Sequence, residues 1–158
     1  MEREAATPDN PGVIAHPPFL YLGVFLVALV AQWLAPRPML ATSAALALGL
    51  SLIVVALGIA NWGRRTMQAA GTNINPARPA TTIVTSGPFG FSRNPLYVSL
   101  TLLYIGLTLA VNTWWGIALL VPLLVAMHFG IVLREERYLD RKFGASYREY
   151  RSRVRRYV

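Results

Sequence analysis

The chain has 158 residues, 54% hydrophobic and 14% charged, with 15 Lys and Arg against 7 Asp and Glu for a net charge of +8. Charges so sparse, and gathered in blocks, exclude the soluble pattern in which polar and apolar residues alternate around each helical turn. The absence of cysteine excludes disulfides, thiolate metal sites and cysteine nucleophiles. The expected fold is an all-α integral membrane protein of about four transmembrane helices with a cytoplasmic C-terminal helical extension.

A tail over 1–18 carries Glu2, Glu4 and Asp9 against Arg3, and Pro8, Pro11, Pro17 and Pro18. Without a basic leading region, the apolar segment 19–35 reads as a retained helix rather than a cleaved signal. Pro36-Arg37-Pro38 forms a turn, since proline restricts the residue before it and cannot donate within a helix. The second segment, 39–60, holds Gly49, Ser51 and Gly58, small residues that let helices approach closely. Residues 61–95 form a connector, with Trp62, Arg64 and Arg65 in an interfacial helix ending at Gly71 and an extended loop over 76–86. Asn94 and Pro95 suit the N-cap and first position of a third helix, 96–111. After Asn112-Thr113, the fourth segment, 114–133, contains Pro122, where a kink is expected, and His128, expected to be a packing residue. The second and fourth segments reach the roughly 20 residues a crossing needs; the first and third are slightly short. Past Phe143-Gly144, Ser146 with Glu149 forms a capping-box pattern for a short basic helix. Residues 96–158 thus form an apolar hairpin with C-terminal helices.

Orientation follows from the basic residues. Arg37 alone lies between the first two segments and none lies at residues 112–113, whereas 61–95 carry four and 134–158 carry nine. The positive-inside rule places both charged stretches, and with four crossings the N-terminus, in the cytoplasm. The positive charge is then a topology signal rather than a nucleic-acid footprint, and no nucleic-acid motif accompanies it.

Residues 98–133 contain no Asp, Glu, Lys or Arg, so the hairpin can bring the two polar blocks flanking it to one membrane surface. In the first block, Gly87, Pro88 and Gly90 make a turn whose backbone can approach a ligand, and Arg93 beside a helix start can hold a carboxylate or phosphate or else anchor the helix to lipid. In the second, Glu135 and Glu136 repel each other and require cations. Arg134, Arg137 and Arg141 can supply them as a collar, or a cationic ligand can.

Ser86-Gly87-Pro88-Phe89, Ser92-Arg93-Asn94-Pro95-Leu96-Tyr97, and Glu135-Glu136 with Leu139, Phe143-Gly144, Tyr147, Tyr150 and Val154 resemble the isoprenylcysteine carboxyl methyltransferase family, related to the phospholipid N-methyltransferases. The resemblance spans about 61–158 and points to the bacterial branch. It implies a methyltransferase without a Rossmann domain, using S-adenosylmethionine in a pocket formed by Gly87, Pro88, Gly90, Arg93, Asn94, Pro95, Tyr97, Glu135 and Glu136. It implies no metal and assigns no catalytic residue; Asn94 stands where the eukaryotic enzymes have histidine. The implied acceptor is lipophilic, or a small thiol, carboxyl or amine, reaching the site from the bilayer between the second and fourth helices. The implied location is a bacterial inner membrane with the site facing the cytoplasm. The competing readings are a membrane reductase of like architecture using NADPH, and a non-enzymatic four-helix transporter or scaffold, for which no intramembrane carboxylate is present.

Overall fold

In the computed structural model, which describes residues 9–76 and 78–158, Pro17 and Pro18 form the first turn of α1 (Pro17–Leu34), where a missing backbone donor costs nothing. Glu2, Arg3, Glu4 and Pro8 lie outside the described residues. The other elements are α2 (Thr42–Ala69), a 3-10 turn (Gly87–Gly90), α3 (Pro95–Val111), α4 (Trp114–Met127), a π-helical turn (His128–Val132), α5 (Leu133–Phe143) and α6 (Ala145–Arg153). The described residues are all helix and connection, with no strand. Three helical stretches are long and apolar enough to cross a bilayer: Pro17–Leu34, Thr42–Ala69 and Trp114–Phe143, the last running on from α4 through the π turn into α5. The apolar Pro95–Val111 is shorter.

One asparagine ties together the turns at one end. Asn112 closes α3 in the left-handed conformation at φ 58°, as Asn readily does. Its Oδ1 accepts from the Met39 and Leu40 amides at 2.9 and 3.0 Å, and its Nδ2 donates to the Leu40 carbonyl at 2.8 Å. The Trp114 amide donates to the Arg37 carbonyl at 3.0 Å and Trp115 Nε1 to the Ala35 carbonyl at 2.8 Å. The turns at 35–41 and 112–113 therefore share one end. At the other, Lys142 pairs with Asp9 at 2.8 Å and Arg93 with Glu136 at 3.1 Å. The hydrogen bonds from Lys142 and Tyr138 hold the Asp9 carboxyl below its ordinary range.

Helix α2 lies along α3, and α4 leans on α1. The core centres on Tyr21, Tyr104, Leu123, Met127 and Ile131. Tyr21 and Tyr104 meet edge to face at 6.0 Å, and the Tyr104 hydroxyl donates to the Gly116 carbonyl at 2.9 Å, so this aromatic body is packed and its polar end satisfied.

Several local expectations change. Residues 61–69 continue α2 instead of forming a separate interfacial helix, because no proline interrupts Trp62 to Gln68 and the single Gly63 is tolerated among helix formers; Gly71, at φ 67°, turns the chain just past the end. Ser146 lies inside α6 and caps nothing. Gly144, at φ 53°, donates to the Asp140 carbonyl and accepts from the Arg148 amide, ending α5 and opening α6 in one residue. Asn94 caps α3 with its backbone carbonyl alone, since its side chain is engaged elsewhere. Beyond Pro122 the helix carries a π turn. Such a turn offsets the i→i−4 ladder, and the Gly130 carbonyl accepts from the Ile14 amide at 3.3 Å.

The two glycines among the small residues singled out in α2 have different surroundings. A Cβ on Gly49 would lie 2.5 Å from the Ala110 amide nitrogen and 2.7 Å from the Gly106 carbonyl oxygen, both rigid backbone, whereas a Cβ on Gly58 would meet nothing within 4 Å. Gly49→Ala should therefore destabilise the α2–α3 pair by about 1–3 kcal/mol, and Gly58→Ala should be neutral or mildly stabilising through helix propensity. Thermal unfolding of the purified variants in detergent checks both; equal melting temperatures would contradict the assigned packing.

Candidate functional site

Arg93 lies two residues before α3 and Glu136 lies in the first turn of α5, so the apolar hairpin carries the two to one end. They pair at 3.1 Å with both side chains only 8% exposed. Arg156, beyond α6, completes the cluster, its Nε and Nη2 donating to the two Glu136 oxygens at 2.9 and 2.8 Å. This fork geometry is the strongest form a carboxylate–guanidinium pair takes. Bonding to Glu136 holds the Arg156 guanidinium above its usual range.

The last residues lie across the start of α3. The Arg93 amide donates to the Arg155 carbonyl at 2.9 Å, and Asn94 Nδ2 donates to the Arg156 carbonyl at 2.9 Å. Helix α6 is pinned from beneath by Tyr150, whose hydroxyl donates to the Phe89 carbonyl at 2.7 Å, and by Tyr147, which accepts from Arg93 Nη1 at 3.4 Å. Burial pushes both phenols up, so both remain neutral.

Glu135 is differently placed. It accepts a hydrogen bond from the Tyr97 hydroxyl at 2.7 Å, while Glu136 receives two guanidinium groups. Glu135 and Glu136 face a cleft with Arg93, Asn94, Tyr147 and Tyr150, roofed by the irregular chain between α2 and the 3-10 turn, which contributes Thr72, Asn73 and Ile83. The roof is fastened by the Ala80 amide donating to the Tyr138 hydroxyl at 3.1 Å. Among the described residues, Arg93 Nε is buried in this region without a hydrogen-bond partner. A buried orphan donor beside a carboxylate of spare accepting capacity is a donor set suited to a zwitterion such as an amino-acid group.

Of the residues singled out from sequence, Arg93, Asn94, Glu135 and Glu136 line this cleft. Tyr97 stands behind Glu135 and lines a separate apolar groove. Gly87, Pro88, Gly90 and Pro95 are not part of the cleft lining. Gly87, at φ 58°, sits against Thr66 and Trp62 of α2, and Pro88 and Pro95 are buried in packing. Arg134, Arg137 and Arg141 do not form the cations around Glu136; Arg93 and Arg156 do. Arg156 escaped sequence reasoning because nothing distinguishes it among nine basic residues in a polar terminal stretch.

Removing the charge of Glu136 leaves Arg93 buried and uncompensated. Glu136→Gln should therefore cost about 3–5 kcal/mol, and Glu135→Gln, which removes no ion pair, far less. Denaturant or thermal unfolding in detergent should show a large loss for Glu136→Gln alone; equal losses would mean the two carboxylates share one structural role.

The phospholipid methyltransferase family profile matches residues 44–146, from the first turn of α2 into α6 and across both polar blocks. An uncharacterized protein of Haemophilus influenzae is 39% identical over 66 residues, the whole of that protein and 40% of this chain. No solved structure matches. With the profile covering well over half its length, including the Arg93 and Glu136 blocks that resemble the isoprenylcysteine and phospholipid methyltransferases, the chain belongs to the phospholipid methyltransferase family.

Proposed function

We propose that this protein is an S-adenosylmethionine-dependent methyltransferase of a bacterial inner membrane, binding its cofactor in the cytoplasmic-end cleft and methylating a lipophilic acceptor. The observation that carries the reading is the cleft itself: a buried Arg93–Glu136 pair, clasped by the partly exposed Arg156, beside Glu135, at the end of an apolar hairpin, in a chain of a methyltransferase family. When bound, the cofactor supplies an activated methyl on a sulfonium sulfur. Glu135 would hold its ammonium, and Arg93, through the orphan Nε, would hold its carboxylate. Glu136 and Arg156 hold Arg93 in place rather than contacting the ligand. The enclosed part of the cleft, about 90 Å³, is well below the roughly 300 Å³ or more of a small-molecule site. A nucleoside-sized ligand therefore enters by lifting the roof chain over 71–86.

Catalysis of methyl transfer rests on holding donor and nucleophile in line and away from water. A rim of tyrosines and an apolar hairpin serve both ends. The cytoplasmic orientation is supported by the basic residues, of which nine lie in 134–158, and by the shared end that joins them to Asp9 and Arg93.

Calorimetric titration of the purified protein with S-adenosylmethionine should show saturable binding, with NADPH giving none. Glu135→Gln should weaken it by at least tens-fold, the effect of removing one partner of a desolvated charge pair. Near-native affinity in Glu135→Gln would remove that residue from the site. Hydrogen exchange should slow across 71–86 on binding; unchanged exchange there would refute the roof assignment.

Orientation is tested by placing single cysteines at Arg37, Arg78 and Ser152 in this cysteine-free chain and treating intact cells with an impermeant thiol reagent. Only position 37 should label. Labelling at 78 or 152 in sealed cells would reverse the topology.

A further inference from the structure

Between α3 and α4 lies a second cavity, about 620 Å³, whose walls are almost wholly apolar. Val98 and Leu102 form one side, and Val121, Leu124 and Val125 the other. Val121, Val125 and Phe129 are strongly exposed, so the mouth opens sideways toward lipid rather than toward water. The volume suits a lipid-sized ligand. No Asp, Glu, Lys or Arg lines it, so a phosphate has no partner inside; its polar groups are phenols, Thr101 and one imidazole. The Thr101 and Tyr21 hydroxyls are already bonded to each other at 2.7 Å.

The imidazole is His128, at the first position of the π turn, and its Nδ1 lies 2.8 Å from the Tyr157 hydroxyl. Tyr157 follows Arg156, the residue that clasps Glu136, so the cleft and the groove share this tail. They also share a partition, because Tyr97 lines the groove while its hydroxyl donates to Glu135 in the cleft. The groove's reactive end therefore adjoins the carboxylate assigned to the cofactor.

We propose that this groove seats the apolar chain of an uncharged lipophilic acceptor bearing a hydroxyl, thiol or amine, and that His128, positioned by Tyr157, is the base that takes the acceptor's proton. The inference rests on the methyltransferase reading above. With Nδ1–H donating to the Tyr157 oxygen, Nε2 is left as an acceptor. The acceptor's nucleophilic atom forms a bond to the methyl carbon as the bond from that carbon to the sulfonium sulfur breaks. The bonding pair stays on sulfur as a neutral thioether, and the acceptor's proton passes to Nε2. His128 is partly exposed, so it can return that proton to water. A thiolate or carboxylate acceptor would need no such base.

The test uses full-length protein in detergent micelles with a hexadecanol probe carrying a chain diazirine. Irradiation should label peptides of α3 and α4, and Val125→Trp, which fills the groove from its lipid side, should abolish the labelling while leaving S-adenosylmethionine affinity within twofold. Labelling elsewhere, or undiminished in Val125→Trp, overturns the groove. Turnover is then followed as labelled methyl entering the organic phase of a total membrane extract. His128→Ala should keep both photolabelling and cofactor affinity yet lose turnover about 100-fold, the scale of general base catalysis, and added imidazole should restore part of it. Turnover within threefold of the parent protein, or a loss that imidazole does not relieve, overturns the base assignment. Should the parent protein bind no S-adenosylmethionine, the cofactor reading and the base fall together, whereas the photolabelling still decides the groove.

Discussion

The buried pairing of Glu136 with Arg93 and Arg156 is the constraint on which the rest of this molecule depends. Arg93 and Glu136 are taken out of water while Arg156 keeps about a third of its side chain exposed (32%), and the cost of burying such charges is offset only when each is paired with good geometry. Here the partners come from before α3, the start of α5 and the chain beyond α6, so the cluster forms only if the hairpin closes and the tail folds back. The tail then does more than neutralise charge. Its carbonyls at 155 and 156 accept from the Arg93 backbone amide and the Asn94 side-chain amide, fastening the tail to the chain that enters α3. Charge, helix entry and tail position are thus one coupled unit, in which loss of a member strands the others.

Much of the frame was legible in the sequence because hydrophobic length is a direct physical demand of the bilayer. The segments read at 19–35, 96–111 and 114–133 correspond closely to α1, α3 and the apolar run of α4 with its π turn. The second was cut short at 60 since Trp62, Arg64 and Arg65 look like an interface, and yet a helix leaving the bilayer needs no break when its residues still favour helix. Asn112 was read only as a turn. Its role in tying both turns of one end depends on residues 72 positions away, which no local pattern reveals.

The candidate site divides in the same way. Arg93, Asn94, Glu135 and Glu136 were legible because charges abutting an uncharged run of hairpin length must meet. Their division of labour was not. Adjacent glutamates on a helix point about 100° apart, so one turns into the ion cluster and its neighbour toward Tyr97, and the sequence does not say which. Arg156 and Tyr157 were hidden in a basic tail whose composition reads as solvated surface. The π turn at His128–Val132 was hidden too, because an extra residue in a helical turn leaves no compositional trace.

That π turn and the Tyr97–Glu135 hydrogen bond together account for how a short chain can keep two unlike environments side by side. The extra residue offsets α5 from α4, so that His128 can line the apolar groove while Glu135 and Glu136, less than three turns on, face the polar cleft. Tyr97 closes the gap with an apolar ring on the groove side and a hydroxyl on the acid side, the division of properties for which a tyrosine is suited. A soluble enzyme builds such a partition between domains. Here the bilayer supplies the apolar compartment, and the protein needs only one hairpin, one tail and a single aromatic wall to set a polar cleft and an apolar groove side by side.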